Sequence, residues 1–465
     1  MVNSVNRVRK IFLVLLVFLV IFGIVFAIRP RVTALPNVVL ITVDALRADH
    51  LSCYGYKRKT SPNIDNLASQ SVIFTNCYAT SSNTIYASLG LFTGKYLATD
   101  KLEPSLWDNI LDAKFKTLAE HLKGFGYSTM ALIAGNKNYA KGKGFEQGFD
   151  YFCNMGRDGG DLTRKAMQLL EKHPKNKPFF IWIHYLETHA PYIARPEYLK
   201  QFESDALYKE NDKILSLRPD GSYMKLADEE YTSHGYIPAA AFHNGRYSLN
   251  YYIACYDAQI LYADFCIGKL LKSLNDDTLI ILTADHGEAL GEHNIYFAHG
   301  ENIYDETLHI PLIIKDSRYF RMKKDLNIVS AVDIVPTILS RIKPSGYFLN
   351  KLEFDGIDLE SSKECFDSER KYIYSYYPLD RSIRDVKNNL KYILSLNGKE
   401  RLFILPNEND NLMDSDLVKD SVKQRLRRDL RDWLKDYPIP ADINSRKEYL
   451  DKDTRESLKS LGYLQ

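Results

Sequence analysis

The sequence carries almost no net charge for its size. Its 61 lysines and arginines nearly balance 59 aspartates and glutamates, which leaves a formal charge of +2 over 465 residues. A protein that binds nucleic acid through bulk electrostatics needs a clear basic excess, so we expect no nucleic-acid partner. Hydrophobic residues make up 45% and charged residues 26% of the chain. This ordinary globular composition excludes wholesale disorder and a multi-span membrane protein.

Cysteine pairs of the CxxC type are absent. The six cysteines are scattered, at positions 53, 77, 153, 255, 266 and 365. This spacing argues against a zinc site made of thiolates and against a thioredoxin-like redox motif. We expect most of them to be single buried thiols, and disulfides are the alternative for some.

Long apolar runs are also scarce, and only one is conspicuous. Residues 11–28 form a run of 18 residues without a charge, which as a helix would span roughly 27 Å, enough to cross the hydrocarbon core of a bilayer. Arg7, Arg9 and Lys10 precede it, which favours a cytoplasmic segment at residues 1–10. The sequence therefore predicts a single-pass membrane protein with a transmembrane anchor at residues 11–28 and the rest outside the cytoplasm. A cleaved signal peptide is the alternative, although the run is longer than the apolar region of most signal peptides.

Beyond the anchor, short apolar runs alternate with stretches of helical spacing. The runs are too short for helices and indicate buried strands, at residues 37–43, 130–134, 179–183 and 279–282. Helical spacing is found at residues 115–122 and 256–274. This alternation predicts an α/β fold with a mostly parallel central sheet sandwiched by helices. Ligands of such folds bind beyond the carboxyl ends of the strands.

The pattern changes from residue 344 onward. Strand-like pieces at residues 372–376 and 391–396 precede an amphipathic helix with apolar residues at three- and four-residue spacing, namely Val418, Val422, Leu426, Leu430 and Trp433. We therefore expect a large domain at residues 36–343 and a small C-terminal α+β subdomain at residues 344–465.

Two carboxylates and a histidine are expected to meet at one edge of the sheet. Asp285 and His286 follow the run at 279–282, and Asp44 ends the run at 37–43. Oxygen and imidazole ligands of this kind bind divalent metals. Converging carboxylates repel each other unless a cation or a proton lies between them, which favours a metal site. A helix cap is the alternative for Asp285 and His286.

Thr84 lies where a polar loop enters a predicted helix, in the stretch SSNTIYASLGLFTG at residues 81–94. A hydroxyl there faces free backbone amides and the positive end of the helix dipole, a setting that stabilises a tetrahedral anion. A threonine that only caps the helix is the alternative.

A series of motifs resembles the sulfatase family of the alkaline phosphatase superfamily, in order and over residues 36–465. They are VDALRADHLSCYGY at 43–56, SPNIDNL at 61–67, LFTG at 91–94, GFEQGFD at 144–150, HYLETHAPY at 184–192, YDAQI at 256–260, ADHGE at 284–288 with GEH at 291–293, HG at 299–300, YDE at 304–306 and RESLKSLGYL at 455–464. The resemblance implies an alkaline-phosphatase-like sulfatase fold, with a sulfatase-like catalytic domain at residues 36–343. It also implies a metal-dependent hydrolase or transferase acting on sulfate or phosphate esters.

The metal-binding residues of the family carry over unevenly. The resemblance places ligands at Asp44, Asp285 and His286, and Thr84 completes the expected set. The family's usual second aspartate falls on Ala45, which removes one carboxylate. The resemblance implies a divalent ion, Ca²⁺, Mn²⁺, Mg²⁺ or Zn²⁺, with one site favoured and two possible. Ligands of a second site would come from His184, Glu187, His189, His293 or His299.

The substrate-binding positions rest on the resemblance alone. His189 matches the histidine that contacts the substrate oxyanion and is expected to act in catalysis, His299 occupies the region of a cationic substrate-binding residue, and Asn136 is a further expected substrate contact. The substrate is expected to be a small-molecule, glycan or lipid ester. The membrane anchor motivates an ester of the cell envelope.

The nucleophile motif departs most from the family. It is usually Cys or Ser, any residue, Pro, a small residue and Arg, and it falls on Thr-Ile-Tyr-Ala-Ser at residues 84–88. Sulfatases oxidise the Cys or Ser to formylglycine, whereas a threonine resembles the phosphodiesterases and phosphoethanolamine or phosphoglycerol transferases of the superfamily. Phosphoryl transfer by Thr84 is therefore the favoured mechanism. The alternative is a catalytically inactive sulfatase-fold protein that binds anionic envelope glycans or lipids.

Overall fold

The structure is a computed structural model, and it describes residues 35–96, 111–140, 142–209, 212–217, 235–238, 241–243, 245–300, 302–318, 323–342, 352–359, 370–377, 380–395 and 399–436. The expected membrane anchor at residues 11–28, the cytoplasmic segment before it and the motif at residues 455–464 lie outside these ranges and stay predictions. No helix within the described ranges combines the length and the apolar character that crossing a bilayer requires.

Sixteen strands are described. In chain order they are β1 (Val38–Val43), β2 (Val72–Tyr78), β3 (Ser128–Ala134), β4 (Tyr151–Met155), β5 (Phe179–Tyr185), β6 (Ser216–Leu217), β7 (Tyr236–Ile237), β8 (Leu279–Thr283), β9 (Ala289–Leu290), β10 (Tyr296–Ala298), β11 (His309–Lys315), β12 (Lys323–Ser330), β13 (Tyr372–Tyr377), β14 (Asp380–Asp385), β15 (Leu390–Ser395) and β16 (Glu400–Ile404).

Nine α-helices are described along with these strands. They are α1 (Pro62–Ala68), α2 (Thr84–Thr93), α3 (Leu118–Gly124), α4 (Gly159–Lys172), α5 (Pro196–Glu203), α6 (Leu249–Leu271), α7 (Asp305–Leu308), α8 (Ile334–Ile342) and α9 (Asp420–Asp436). Short 3-10 turns occur at Ala48–His50, Ser52–Tyr54, Lys137–Tyr139, Ala206–Tyr208, Glu292–Asn294 and Ala331–Asp333.

An eight-stranded sheet with the order β12-β2-β11-β8-β1-β5-β3-β4 forms the core. Of its described strands, β11 runs antiparallel to both of its neighbours, and every other pairing is parallel. The expected α/β fold with a mostly parallel sheet is confirmed. The strands at the centre, β1, β5 and β8, are buried at every residue, so both faces of the sheet are covered.

Two groups of helices provide this cover. The long helix α6 packs against α1, α4 and α5, and α2 packs against α3 and α8. Helix α6 is almost entirely buried, as expected for a central layer of a sandwich. All five cysteines that the structure describes are free thiols, of which Cys77, Cys255 and Cys266 are buried as expected and Cys53 and Cys153 are half-buried.

The C-terminal strands β13 to β16 form a separate four-stranded antiparallel sheet. Helix α9 lies against it, and the Trp433 ring stacks on Tyr374 at 4.5 Å between centroids. Strand β13 also bonds to the main domain, because Tyr376 N donates to Thr80 O at 2.8 Å and the Ser375 hydroxyl donates to Ala79 O at 2.8 Å. The small sheet therefore supports the segment that leads into Thr84 and α2.

Candidate active site

The site is built at the carboxyl edge of β1, β5 and β8. In the parallel register Thr42 of β1 lies opposite His184 of β5 and Thr283 of β8. The chain leaves the sheet just after this row, so Asp44 and Asp285 emerge side by side. This is the edge where open α/β sheets bind their ligands.

Asp44 is fully buried, and its two oxygens differ. Oδ2 accepts hydrogen bonds from Asn136 Nδ2 at 2.7 Å and from His184 Nε2 at 3.3 Å. Across the described residues, Oδ1 has no hydrogen-bond donor. One oxygen of Asp44 is therefore held in place and the other remains available to a ligand. The structure places Asn136 against this carboxylate, and its expected contact with the substrate stays a prediction.

A chain of hydrogen bonds fixes the orientation of His184. Trp182 Nε1 donates to Thr42 Oγ1 at 2.8 Å, and the Thr42 hydroxyl lies 2.8 Å from His184 Nδ1. Because the indole can only donate, the hydroxyl hydrogen is free to point at Nδ1, which leaves the proton of His184 on Nε2 toward Asp44. The core of the sheet thereby positions the carboxylate.

The two carboxylate oxygens of Asp285 differ in the same way as those of Asp44. Oδ1 accepts from Ala45 N at 3.2 Å and from His286 N at 3.0 Å, whereas Oδ2 meets no donor from the described chain. His286 Nδ1 donates to Gly287 O at 2.9 Å, so in the neutral ring Nε2 carries a lone pair. That nitrogen lies 3.5 Å from Asp285 Oδ2. No helix begins at this pair in the described residues, so the helix-cap alternative is wrong.

Thr84 is the first residue of α2. Its Oγ1 lies 3.0 Å from His286 Nε2, within hydrogen-bond distance. The helix cap is Asn83, whose side chain accepts from Ile85 N at 3.1 Å. The cap interpretation of Thr84 is therefore wrong, because the neighbouring asparagine does that work and leaves the Thr84 hydroxyl for the site.

The charges of the cluster fit a divalent cation. Burial, together with the negative charge of Asp44, raises the pKa of Asp285 to about 6. Burial alone would also raise the pKa of Asp44, but the hydrogen bond from His184 and the nearby histidines hold it below its usual range. The pKa values of the two buried carboxyl groups are thus shifted in opposite directions. This indicates that too little positive charge lies near them to stabilise both as ions. Ligand atoms of Asp44, Asp285 and His286 lie within 4.8 Å of one another, and the two free oxygens belong to this set.

His189 and His299 form the other side of the pocket, with ring centroids 4.8 Å apart. His189 Nδ1 donates to Ala190 O at 2.7 Å, and His299 Nδ1 lies 3.0 Å from Glu288 Oε1. Burial lowers the pKa of His189 to about 4, and burial with the charge of His286 lowers that of His299 to about 3. Both rings are therefore neutral in this state. Ligand atoms of both also come within 4.8 Å of Asp44.

Glu288 is a residue of the site that the sequence did not single out. Its Oε1 faces His299, and its Oε2 accepts from the Tyr192 hydroxyl at 2.9 Å. Burial raises the pKa of Glu288 to about 7. Its place in the ADHGE motif was a usable signal, but the role depends on a loop that returns His299 to the same pocket.

Two further metal-ligand candidates are placed elsewhere. Glu187 turns toward α4, where its carboxylate accepts from Gly159 N at 2.6 Å. His293 bonds Glu306 Oε1 at 3.1 Å, away from Asp44. Neither residue is part of the cluster, so these two candidate assignments are wrong.

At two positions where this sequence lacks a charged residue of the family pattern, Ser88 and Ala45, the residue present makes contacts of its own. Ser88, where the family pattern has Arg, lies 2.5 Å from the Tyr139 hydroxyl inside the core. Ala45, where the family has a second aspartate, adopts a positive φ of 56° and donates its backbone N–H to Asp285.

The comparisons with known proteins agree with this geometry. A family model described as Sulfatase matches residues 36–343. The chain is 25% identical over 457 residues to an uncharacterized sulfatase, YidJ, of Escherichia coli K12, with 86% of this chain and 87% of that protein covered.

Two solved structures share the fold. One is a complex with the substrate D-glucosamine-2-N,6-O-disulfate, with a TM-score of 0.68, 21% identity and coverage of 88% of this chain and 99% of that chain. The other is a phosphonate monoester hydrolase of Agrobacterium radiobacter, with a TM-score of 0.66, 20% identity and coverage of 86% and 96%. The resemblance in the sequence is thereby confirmed: the chain belongs to the sulfatase family of the alkaline phosphatase superfamily and is a sulfuric or phosphoric ester hydrolase.

Proposed function

We propose that Thr84 is the nucleophile and that the enzyme acts preferentially on phosphorus esters, by hydrolysis or by transfer to an acceptor alcohol. The observation that carries the proposal is the contact between Thr84 Oγ1 and His286 Nε2 at 3.0 Å, beside the free oxygens of Asp44 and Asp285. A threonine cannot be converted to formylglycine by the oxidation that serves Cys or Ser.

The residues of the pocket have distinct roles in this proposal. Thr84 attacks the phosphorus or sulfur atom, the alcohol group of the ester leaves, and water or an acceptor alcohol then removes the group from Thr84. The Thr84 hydroxyl lies beside His286 Nε2, which places its oxygen among the proposed metal ligands. The start of α2 presents backbone N–H groups that suit the oxygens of a tetrahedral anion.

Asp44, Thr84, Asp285 and His286 would hold a divalent ion, since the donor set of three oxygens and one imidazole nitrogen is typical of such sites. When bound, the ion would lower the pKa of the Thr84 hydroxyl and offset the charge of the transferring group. Asn136 and His184 would keep Asp44 oriented toward it, as partners behind a metal ligand do.

Similar proteins support both ester classes. A relative from Trinickia caryophylli, 25% identical over 385 residues, is described as a multifunctional alkaline phosphatase superfamily protein, and the sulfated substrate complex shares the fold. A glycan or other small-molecule ester is therefore the substrate class that we propose. The free carboxylate oxygens in the pocket weigh against the inactive binding protein, because a buried charge without a function is costly to keep.

The proposal is tested with Thr84→Ala on a panel of aryl phosphate, phosphodiester, phosphonate monoester and aryl sulfate substrates. We expect turnover to fall by about 10⁴-fold or more, the scale seen when a nucleophile is removed. The matched control is Thr93→Ala in the same helix, whose hydroxyl donates to Leu89 O and accepts from Lys95 N. Unchanged turnover in Thr84→Ala would refute the nucleophile assignment, and a faster sulfate than phosphorus ester would refute the preference.

We propose further that residues 11–28 anchor the enzyme in a membrane with its catalytic domain outside the cytoplasm. The support is the uncharged apolar run and the basic residues before it. Protease added to intact cells or right-side-out vesicles should digest the catalytic domain. Protection of that domain in sealed vesicles, or its release from membranes by alkaline carbonate, would contradict the proposal.

A further inference from the structure

The loop at residues 186–190 follows β5 and carries His189 to the wall of the pocket. It is tied to β1, because the Thr188 hydroxyl donates to Asp44 O. The His189 ring is oriented from within the loop, since Nδ1 lies 2.7 Å from Ala190 O and a carbonyl oxygen only accepts. The position of the Ala190 carbonyl therefore sets the direction of the His189 ring.

Arg157, in the turn between β4 and α4, holds the carbonyl groups of this loop. Its Nη2 donates to three carbonyl oxygens, those of Leu186 at 3.3 Å, of Ala190 at 3.1 Å, and of His189. Three carbonyl dipoles that converge in this way turn their negative ends toward one point and repel each other unless a donor lies between them. A guanidinium supplies hydrogens together with a positive charge, and hydrogen bonds to a charged group are stronger than neutral ones.

The turn that carries Arg157 is itself fixed to the same loop and to α6. Gly159 N donates to the buried Glu187 carboxylate, at 2.6 Å from Oε1, and a Cβ on Gly159 would lie only 2.5 Å from that oxygen. Asp158 accepts from the Tyr262 hydroxyl of α6 at 3.2 Å. The backbone of the turn is thus anchored on both sides of its guanidinium, so Arg157 has a fixed base from which to hold the loop.

We propose that Arg157 is a positioning residue of the active site, which holds the loop at residues 186–190 so that His189 faces the substrate. The inference rests on the proposed function, because it takes the pocket beside Thr84 as the place of ester cleavage. The action of Arg157 passes through the Ala190 carbonyl to the His189 ring. A misplacement of about 1 Å in such a group costs about 10²-fold in rate, so the effect falls on kcat more than on KM.

The first test compares Arg157→Ala with the control Arg164→Gln in α4, whose side chain is 67% exposed. The substrate is the ester of the panel that the unaltered enzyme cleaves fastest. We expect Arg157→Ala to lower kcat by about 10²-fold with little change in KM, and the control to match the unaltered enzyme. Guanidinium chloride at a low, non-denaturing concentration should restore part of the lost activity. Unchanged kcat in a folded Arg157→Ala protein would overturn the proposal.

A double-mutant cycle tests whether Arg157 acts through His189. If it does, adding Arg157→Ala to a folded His189→Ala protein should lower kcat by no more than about twofold, because coupled residues are not additive. A loss as large as that in the unaltered background would overturn the proposal.

Hydrogen exchange measured by mass spectrometry gives a readout that is independent of turnover. We expect the peptide that covers residues 186–190 to exchange faster in Arg157→Ala than in the unaltered protein or in Arg164→Gln, because the loop has lost its hydrogen bonds to the guanidinium. If a thermal melt shows that Arg157→Ala is unfolded, Arg157→Lys replaces it. Lysine keeps the charge without the planar fork, so its exchange and kcat should lie between those of the alanine variant and the unaltered protein. Unchanged exchange in a folded variant would overturn the proposal.

The outcomes separate this inference from the proposed function. If Thr84→Ala keeps its activity and Arg157→Ala loses it, the proposed nucleophile is wrong and the positioning role stands. If Thr84→Ala is inactive and Arg157→Ala is as active as the unaltered enzyme, the positioning role is wrong and the proposed function stands.

Discussion

Two clusters of histidine and carboxylate groups differ in the cations that pair with their carboxylates. The inner cluster contains Asp44, His189, Asp285, His286 and His299, all of them buried. The outer cluster contains His293, Asp305, Glu306 and Glu408, of which Glu408 is buried and the others are half-buried. Within the described structure, lysine and arginine side chains pair with carboxylates of the outer cluster, whereas Asp44 and Asp285 pair only with histidines.

The outer cluster is neutralised by side chains from the C-terminal sheet. Lys391 of β15 lies 2.9 Å from Asp305 and 2.7 Å from Glu408, and Arg384 of β14 bonds Asp305 as well. Glu408 Oε2 also accepts from Asp305 N at 2.6 Å. A pocket of about 220 Å³ opens beside these groups, but its carboxylates already have cationic partners.

The histidines show the same contrast. His293 directs Nδ1 at Glu306 Oε1 and Nε2 at Glu408 O, both at 3.1 Å, so a protonated ring satisfies both acceptors. Burial alone would lower the pKa of His293, but the hydrogen bond to Glu306 and the charge of that carboxylate raise it. In the inner cluster the histidines lie beside Asp44 and Asp285, and no lysine or arginine pairs with these two carboxylates among the described residues. The comparison teaches that the cations paired with its carboxylates, more than the residue types present, distinguish a candidate metal site from a structural network.

The largest effect that separates the clusters is expected from changing a carboxylate to an amide in each. Asp44→Asn removes a charge from the ligands of the proposed cation, so we expect loss of bound metal and a fall in kcat/KM of about 10³-fold. Glu306→Gln is the matched control in the outer cluster and should keep both metal and activity. Elemental analysis and steady-state kinetics measure the two outcomes. Metal loss in Glu306→Gln with metal retained in Asp44→Asn would break the comparison.

The next effect concerns stability. Asp305→Ala leaves Lys391, which is 1% exposed, and Arg384, which is 6% exposed, without their shared carboxylate. Removing one partner of a buried ion pair costs about 3–5 kcal/mol, so urea denaturation should show a loss of that size. The folded enzyme should keep its bound metal. The control Asp276→Ala removes a fully exposed carboxylate and should change the free energy of unfolding by less than about 0.5 kcal/mol.

A destabilised Asp305→Ala protein that has also lost its metal would show that the outer cluster acts on the site. An unchanged free energy of unfolding would show that the Asp305 ion pairs contribute little. Metal loss in Asp305→Ala would mean that the two clusters are not independent. An unchanged free energy of unfolding would mean that the outer cluster does not stabilise the fold.

Much of the inner cluster follows from the sequence, for a simple physical reason. Parallel strands bring their carboxyl ends to one edge, so Asp44 and Asp285 could be placed together from the strand runs alone. Thr84 was singled out because a polar loop enters a predicted helix there, and the resemblance to the family added the nucleophile role, whereas His189 came from the resemblance alone. Whether Thr84 only caps the helix could be decided from the structure alone, which shows that the side chain of Asn83 supplies the cap.

The remaining features depend on contacts between distant parts of the chain. The partners of Asp305 lie 79 and 86 residues away, on β14 and β15, and no local pattern points to them. His293 was a reasonable candidate ligand from the GEH motif, and it was wrong because a C-terminal loop brings Glu408 to it. The positions of Glu288 and Asn136 also depend on how loops return to the sheet edge.

The smallest expected effect is the pH dependence of stability that Glu408 of the outer cluster contributes. Burial, followed by the charge of Asp305, raises the pKa of Glu408 from its ordinary value of 4.5 to about 7. The folded chain therefore binds this proton more tightly than the unfolded chain, and the free energy of unfolding falls as the pH rises through the window from about 4.5 to 7. Glu408→Gln has no such proton, so its stability relative to the unaltered protein should improve by roughly 1–3 kcal/mol between pH 5 and pH 8. Urea denaturation of both proteins across this range measures the difference, with Asp276→Ala as the control for general pH effects. If the difference in free energy of unfolding between the two proteins stays constant with pH, Glu408 is ionised over the whole range. The cationic side chains of the outer cluster would then be sufficient to keep its carboxylates ionised.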